Sequence, residues 1–339
     1  MRRYALNRLG QAVLVLWAAY TLSFILLSAL PGDAVRNRIA NPDAQITPEA
    51  AQVLLNYYGL NRPLWEQYLG ALTHLLRGDL GFSLSNGQTV TALLSVALPN
   101  TLRLAGLALF IAVALAAAIA VLSNYAPRAW ARSLTATLPA LFASVPTFVV
   151  GILALQFFSF GLHLIPASDD GSFTALIGPA MTLGILITAP LAQVFITSIG
   201  KTRTQAFVHV LSARGADERY IFTKGVLRNS SLPVLTLLGL ACGELVAGAV
   251  VTEAVFARSG VGQLTVAAVS TQDLPVLQGV VLVATLTYVL VNLAVDLAYP
   301  FLDPRILAPR NGVRDTRVAR RGPAAAALRR PVPAEAVVP

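Results

Sequence analysis

The sequence predicts an all-α membrane protein with six transmembrane helices, and three observations lead to this prediction. Hydrophobic residues make up 56% of the 339-residue chain and charged residues only 12%, about half of the share usual in soluble domains. Six apolar runs are each long enough, at about 1.5 Å per residue, to cross roughly 30 Å of hydrocarbon. None of these runs shows the alternation typical of membrane β-strands. The runs cover about 10–30, 101–123, 134–160, 174–198, 233–256 and 277–301.

The runs divide the chain into four parts. Residues 1–30 are expected to form a short N-terminal segment and the first span. Residues 31–97 contain helix start signals of their own, so we expect a folded external segment between the first two helices. Residues 98–303 are expected to hold the other five spans, with a polar loop at about 199–232. Residues 304–339 are mainly Arg, Pro, Ala and Val without periodicity, and this composition predicts a disordered basic tail.

The distribution of lysine and arginine predicts the orientation of the chain. If the N-terminus is inside, the inside segments carry 19 of the 25 Lys and Arg residues. Because positively charged segments stay on the cytoplasmic side, both termini and the polar loop are predicted to be cytoplasmic. The net charge of +9 is then a signal of topology, and no nucleic-acid partner is expected.

The polar loop is a charge-dense interruption between the fourth and fifth predicted spans. Within residues 209–233, glycines interrupt a helical pattern, which predicts a short helix, a turn at Gly215 and a second short helix. Phe207, Val210 and Leu211 have the i, i+3, i+4 spacing that gives the first short helix one apolar side. We expect this hairpin to lie on the membrane and to present a knob to a soluble partner.

No catalytic, cofactor-binding or metal site is predicted, so the chain is expected not to be an enzyme. Gly200-Lys201-Thr202 ends like a phosphate-binding loop, but Phe195 stands where that loop needs its first glycine. The chain is therefore not expected to bind ATP in this way. The three histidines lie on different loops, which disfavours a metal site or a hydrolytic dyad, and the lone Cys242 excludes an internal disulfide.

Three polar residues inside the predicted spans are candidates for a translocation path: Glu244, Asp296 and Asn292. A carboxylate at the bilayer centre costs on the order of 2.5–3.5 kcal/mol on insertion scales, so it should face a cavity or a partner. The two carboxyl groups contact a cationic part of a substrate, form hydrogen bonds between helices, or are protonated and neutral, and these alternatives stay open. They could also form the cation site of an ion-coupled secondary transporter, although the inverted repeats that favour that class are not evident.

The hairpin resembles the cytoplasmic EAA loop of ABC importer permeases, in which a glycine is followed about eighteen residues later by Leu-Pro. Gly215 and Leu232-Pro233 fill these places, whereas His209 stands at the position of the glutamate that gives the loop its name. Further motifs over about residues 1–306 are similar to the B-type permease of the dipeptide and oligopeptide subfamily. They are Tyr58-Gly59-Leu60-Asn61-Arg62-Pro63-Leu64, Arg77-Gly78-Asp79-Leu80-Gly81, Leu98-Pro99-Asn100-Thr101-Leu102, Ser144-Val145-Pro146-Thr147-Phe148, Gly248-Ala249-Val250-Val251-Thr252-Glu253 and Asp303-Pro304-Arg305.

This resemblance implies the six-helix fold of type I ABC importer permeases in a prokaryotic plasma (inner) membrane, and import of dipeptides or oligopeptides. Nickel chelates, glutathione, opines or glycans are alternative substrates for the same fold. The implied partners are a second homologous permease, two ABC ATPase subunits that bind ATP and Mg, and an external solute-binding protein. The residues implied to couple ATPase closure to alternating access are Ala213, Arg214, Gly215, Ala216, Asp217, Glu218, Arg219, Tyr220 and Phe222.

Overall fold

In a computed structural model, residues 2–28, 47–58 and 62–302 are described, and they form helices joined by short connections. Apart from the helices, this part of the chain holds one isolated antiparallel bridge between Phe82 and Thr89. The predicted tail, 304–339, lies outside the described residues. The helices are α1 (Arg2–Ser28), α2 (Pro48–Tyr58), α3 (Leu64–Leu76), α4 (Val90–Tyr125), α5 (Ala129–Ser144), α6 (Thr147–Ala154), α7 (Phe173–Arg203), α8 (Ala206–Ala213), α9 (Glu218–Tyr220), α10 (Leu227–Val255), α11 (Val261–Ser270) and α12 (Leu274–Leu302).

Within the described residues, α1, α4, α7, α10 and α12 are long and apolar enough to cross a membrane. The third predicted span is a bent pair: α5 meets a second arm, formed by α6 and the π-helical segment Leu155–Gly161, at an angle of 100°. Pro146 causes this break, because a proline disfavours helical backbone at the residue before it, and Val145 is extended there. If the bent pair counts as one span, there are six, and the predicted all-α polytopic fold is confirmed.

Helix α4 begins earlier than the sequence pattern indicated. From the apolar run, the span was expected to begin at about residue 101 and the external segment to extend to residue 97. The helix instead starts at Val90, where the Thr89 side chain accepts a hydrogen bond from the Ala92 amide at 3.3 Å. Tertiary packing of the first turns stabilises the helix on both sides of the proline.

The main core lies between α4, α7 and α10, and small residues on α4 permit its close packing. Ala108, Ala112 and Ala116 recur every four residues on α4 and are buried. Leu183 and Ile187 on the facing side of α7 are fully buried in the same cluster. Such small-against-large packing lets two membrane helices approach closely and supports the rest of the bundle.

A second, smaller hydrophobic cluster lies at one end of the bundle. It joins the first turns of α4 to α11 and to the start of α12, and its buried members include Val90, Leu94, Val261 and Val276. This end is opposite to the end where α4 finishes at Tyr125. The chain therefore has one core through the bundle and a separate cluster at the end where α4 begins.

A ridge of small residues on α10, formed by Gly239, Gly243 and Ala247, serves contacts within this chain at its centre. A side chain at Gly243 would lie 3.3 Å from the Tyr288 ring of α12, so the glycine permits close approach of these two helices. Gly239 is buried, whereas Ala247 is exposed. The ridge thus contributes partly to packing inside the chain and partly to the exposed face of α10.

The segment between α1 and α4 is folded in its described part. Tyr68 of α3 packs beside Phe24 of α1, and its hydroxyl lies 2.8 Å from the Thr21 hydroxyl. Apolar residues recur at helical spacing along α3 from Leu64 to Leu76, and this stripe is exposed at Leu64, Trp65, Leu69 and Leu76. Packing against a neighbouring helix therefore accounts for one side of the stripe only.

Asp79 fixes the turn that follows α3. Its carboxylate accepts hydrogen bonds from the Tyr57 hydroxyl at 2.6 Å and from the Gly81 amide at 3.0 Å, and the His74 ring nitrogen lies at 3.0 Å. The hydrogen bond from Tyr57 is the main reason why the pKa of Asp79 is lowered. These contacts join the ends of α2 and α3 and give the Arg77-Gly78-Asp79-Leu80-Gly81 motif a structural role.

Candidate functional site

The predicted hairpin is present, and its turn is a helix C-cap of the Schellman type. The Gly215 amide donates to the Ser212 carbonyl at 3.0 Å, and the Ala216 amide donates to the Leu211 carbonyl at 3.1 Å. Gly215 has a φ of +77°, a conformation that glycine adopts without steric cost. The glycine thus ends α8 and reverses the chain toward α9, as the sequence pattern indicated.

Asp217 begins the second helix of the hairpin. Its carboxylate accepts a hydrogen bond from the Tyr220 amide at 3.1 Å, so it is the N-cap of α9. From α9 the chain continues through a π-helical segment, Ile221–Val226, directly into α10. The hairpin is therefore one end of a membrane helix, and a force on α9 acts on α10 without an intervening flexible loop.

Most of the predicted coupling residues are exposed at the tip of the hairpin. The exposed residues are Ala213, Arg214, Gly215, Asp217, Glu218, Arg219 and Tyr220, and Ala216 is half-buried. The Tyr220 ring is 51% exposed, although it is a large aromatic group. The tip therefore presents both signs of charge and one unburied aromatic ring on the same surface.

Phe222 differs from the other predicted coupling residues because it already has an aromatic partner in this chain. Its ring meets the Tyr125 ring edge-on, with centroids 5.2 Å apart. The guanidinium of Arg203 lies over the Tyr125 ring, 4.2 Å from the ring centroid. Phe222, Tyr125 and Arg203 thus link the hairpin to the ends of α4 and α7, and we call them the aromatic base.

The first helix of the hairpin packs on the second through its apolar side. Gly225 lies beneath Phe207 and Leu211, whose side chains would be 3.4 Å and 3.5 Å from an added Cβ. Val210, the third member of the predicted apolar side, is 49% exposed. Below this contact, the buried Ser230 hydroxyl donates to the Thr202 hydroxyl at 3.1 Å and joins α10 to α7. The hairpin is thus held rigidly to the bundle.

In the described part of the chain, Glu244 and Asn292 do not share a hydrogen bond. Glu244 lies on the exposed face of α10, together with Leu240 and Val251, and in the described part of the chain its carboxylate has no partner. The Asn292 amide donates to the Tyr288 carbonyl of its own helix at 2.9 Å. Asp296 lies in α12, but its side chain is outside the described residues.

A buried polar network at the other end of the bundle was not predicted. Glu253 is fully buried, and its two carboxylate oxygens accept hydrogen bonds from the Thr101 hydroxyl at 2.6 Å and the Gly262 amide at 2.7 Å. The Thr101 hydroxyl oxygen in turn accepts from the Val261 amide at 2.8 Å. The Asn100 side chain donates to the Ser259 carbonyl at 2.9 Å. Two sequence motifs that are far apart, at residues 98–102 and 248–253, therefore meet here.

Two further carboxylates hold the segment around α11. Arg258 forms an ion pair with Asp169 at 3.3 Å, and both side chains are largely buried. After α11, the buried Asp273 accepts hydrogen bonds from the Ser83 hydroxyl and from the Ser85 amide, the latter at 3.1 Å. The connection between α10 and α12 is thus fixed to three other parts of the chain.

The signals for these residues were weak in the sequence. Glu253 and Thr101 stand within recognisable motifs, but neither the motifs nor the spacing indicates that they are in contact across 152 positions. Tyr125 and Arg203 are the last residues of two long apolar helices, which places them at one end of the bundle. Among the described residues, no group of three or more His, Cys, Asp or Glu side chains could hold a metal ion.

Comparison with known proteins gives a family for most of the spanning region. Residues 111–308 match the family described as the inner membrane component of binding-protein-dependent transport systems. The matched part includes the hairpin and the aromatic base. It also includes the polar network around Glu253, except for Asn100 and Thr101, which precede residue 111.

Individual proteins match over nearly the whole length. The dipeptide transport system permease protein DppB of Lactococcus lactis is 30% identical over 307 residues, with 90% of this chain and 99% of the relative covered. The glutathione transport system permease protein GsiC of Salmonella typhimurium is 33% identical over 308 residues, with the same coverage. A putative peptide permease protein of Brucella ovis is 34% identical over 317 residues, again with 90% and 99% covered.

Proposed function

Since this chain belongs to the family of inner membrane components of binding-protein-dependent transport systems, we propose that it is the permease subunit of an ATP-driven importer of dipeptides or oligopeptides. It is a multi-pass inner membrane protein and a transport subunit. Relatives whose names specify dipeptides, peptides or glutathione support a short peptide as the substrate.

The hairpin is the observation on which this proposal rests. ATPase closure needs a rigid lever to move membrane helices, and α9 continues into α10 without a break. The exposed charges of Arg214, Glu218 and Arg219 are suited to polar contacts with an ATPase subunit, and Tyr220 is suited to an apolar notch in it. The aromatic base would pass the movement to α4 and α7.

We place both termini and the hairpin in the cytoplasm, because this orientation keeps most lysine and arginine residues on the inner side. The complete importer would contain a second homologous permease, two ATPase subunits that bind ATP and Mg, and an external solute-binding protein. This chain itself would bind neither ATP nor a metal. The segment before α4 would then face the solute-binding protein.

Glu244 would lie in the path between the two permeases. A carboxylate that is exposed at mid-helix cannot face lipid without a large cost, so the face of α10 that carries it should line water or a partner. There it could contact the ammonium group of a peptide. Asn292 and Asp296, one helical turn apart on α12, are the other candidates for the path.

Glutathione is the second candidate substrate, because a relative of similar identity carries it in its name. Glutathione has a net negative charge at neutral pH, which Glu244 would repel, whereas a zwitterionic dipeptide presents an ammonium without excess negative charge. Replacing Glu244 with Gln should therefore reduce uptake of dipeptides and leave uptake of glutathione equal or higher. An equal loss for both substrates would remove Glu244 from substrate selection.

Isolation of the tagged protein from its native membrane in mild detergent tests the proposal. We expect a second permease and ATPase subunits to co-purify with the native chain. A triple variant, Arg214→Ala, Glu218→Ala and Tyr220→Ala, should lose the ATPase subunits and keep the second permease. Asp217 is left intact because it caps α9, and its loss would weaken the hairpin by about 1 kcal/mol.

The matched control carries Arg128→Ala and Trp130→Ala, which remove an exposed arginine and an exposed aromatic ring near another predicted cytoplasmic turn. This control should retain the ATPase subunits. Recovery of the native chain alone would contradict the proposal and favour a self-sufficient, ion-coupled transporter with Glu244 in its cation site.

A further inference from the structure

Helix α4 passes through both hydrophobic clusters, and a proline lies between them. Ala97 is the last buried residue of α4 in the smaller cluster, and Leu104 is the first in the main core. Pro99 stands between these two residues within the helix. Because proline has no amide hydrogen, the ladder lacks one bond here, and helices bend at such positions. The first turns of α4 can thus move relative to the rest of the helix.

Helix α11 closes the same end of the bundle. It has 10 residues and is therefore only about 15 Å long, too short to cross a bilayer. One side of it, with Val261 and Ala268, is buried in the smaller cluster. The other side is exposed, including Val266 and Val269. Helix α11 and the start of α4 therefore form one packed unit at this end of the bundle, beside the start of α12.

Glu253 and Thr101 attach this unit to the main bundle. Gly260 stands at the N-cap of α11 and has no side chain to accept its amide hydrogen bonds. The carboxylate of Glu253, from the preceding helix, takes the role of the cap by accepting from the Gly262 amide, while Thr101 accepts from the Val261 amide. A side chain at Gly260 would lie 2.2 Å from the Glu253 carboxyl, so the contact requires glycine.

We propose that Glu253 is a positioning residue for transport, and that with Thr101 it latches α11 and the first turns of α4, as an external gate, to the main bundle. The inference rests on the proposed function. When the gate opens to the solute-binding protein, α4 bends at Pro99 and the amides of α11 leave Thr101 and Glu253. Hydrogen bonds of the latch thus stabilise the closed gate, and weakening them raises the population of the open gate.

The first test measures ATP hydrolysis by the complete importer in lipid nanodiscs, with and without its solute-binding protein. In the native importer the solute-binding protein should supply the energy that opens the gate, so hydrolysis should depend on it. Thr101→Val and Glu253→Gln should raise the rate without the solute-binding protein about tenfold, the factor that corresponds to ~1.4 kcal/mol. Thr101→Ser keeps the hydroxyl and should restore the native rate.

Thr182→Val is the matched control, because the buried Thr182 hydroxyl donates only to the Gly178 carbonyl of its own helix. It should leave the ratio of the two rates unchanged. If Thr101→Val behaves like Thr182→Val, or if Thr101→Ser behaves like Thr101→Val, the latch is refuted. Absence of ATPase subunits from the native complex would refute the proposed function instead.

The second test measures distances between nitroxide labels in the same complex, in a Cys242→Ala background. One label is placed on the exposed Gln263 of α11, and the second on the exposed Phe173 of α7 or the exposed Val96 of α4. Thr101→Val should add a longer 173–263 distance and leave the 96–263 distance unchanged, because α11 moves with the first turns of α4. An unchanged 173–263 distance, or a broadening of both distances, would contradict the gate.

Discussion

Replacement of Gly215 with alanine should weaken the hairpin by an amount that its backbone geometry sets. Gly215 has a φ of +77°, and no atom lies within 4 Å of the position of an added Cβ. The cost is therefore conformational and not steric, about 1–2 kcal/mol for an L-residue in left-handed backbone. That amount reduces the ratio of closed to open hairpin roughly 5- to 30-fold.

Hydrogen exchange of the permease in nanodiscs measures this change directly. Amides of residues 206–226, which include the donors that close the turn, should exchange about 5 to 30 times faster in Gly215→Ala than in the native chain. Gly215→Asn should fall between the two, because asparagine adopts left-handed backbone more readily than alanine. The matched control is Gly106→Ala in α4, where an added Cβ likewise meets no atom within 4 Å and φ is not positive.

Gly215→Pro extends the series. Proline fixes φ near −65°, which is opposite in sign to the φ of Gly215, and it removes the amide that donates to the Ser212 carbonyl. Transport should be lost while membrane insertion persists, because the spans are unchanged. Native exchange rates in Gly215→Ala, or transport by Gly215→Pro, would show that the turn does not determine the hairpin.

Three further changes have defined outcomes. The Asp79 carboxylate stabilises the fold at pH values above its unfolded pKa of about 3.9, and this stabilisation is lost as pH falls through its lowered folded pKa. Asp79→Asn should therefore lower the melting temperature near pH 7, and the difference from the native chain should shrink progressively below about pH 4. Gly262→Ala should lower the melting temperature more than Gly248→Ala. At residue 262 the added Cβ would lie 2.4 Å from the Val250 Cα, which is backbone, whereas at residue 248 it would lie 2.6 Å from the end of the Leu183 side chain, which can change its rotamer. Phe222→Ala should reduce transport without preventing membrane insertion, because it removes the ring contact with Tyr125. Tyr125→Phe retains this contact and should leave transport near the native rate. Equal losses of transport in both variants would show that the ring contact is not what transport requires.

The features that sequence reasoning predicted are those fixed by local physical chemistry. The six spans follow from hydropathy, and the turn at Gly215 follows from the backbone freedom of glycine. The sequence places prolines in the third and fourth predicted spans, and a proline in a membrane helix either breaks it, as Pro146 does, or is accommodated. Pro179 and Pro190 lie inside the continuous helix α7, where Pro179 is buried and Pro190 half-buried among neighbouring residues.

The features that sequence reasoning missed depend on contacts between distant segments. Nothing near Glu253 in the sequence indicates that its carboxylate caps α11 and accepts from Thr101. The contact between the Phe222 ring and Tyr125, 97 positions earlier in the chain, was likewise not predicted, while the coupling role of Phe222 stays a prediction. The contacts of the exposed hairpin residues and of Glu244 with other subunits or substrate stay predictions.

ATP-driven uptake of a labelled dipeptide into proteoliposomes tests the central claim most directly. The vesicles would contain this permease with its co-purified partners, and the solute-binding protein would be added outside. We predict uptake only when ATP is inside and the solute-binding protein is outside, with loss of uptake in the Arg214→Ala, Glu218→Ala, Tyr220→Ala variant. Uptake driven by an ion gradient across vesicles that contain this chain alone would contradict the account.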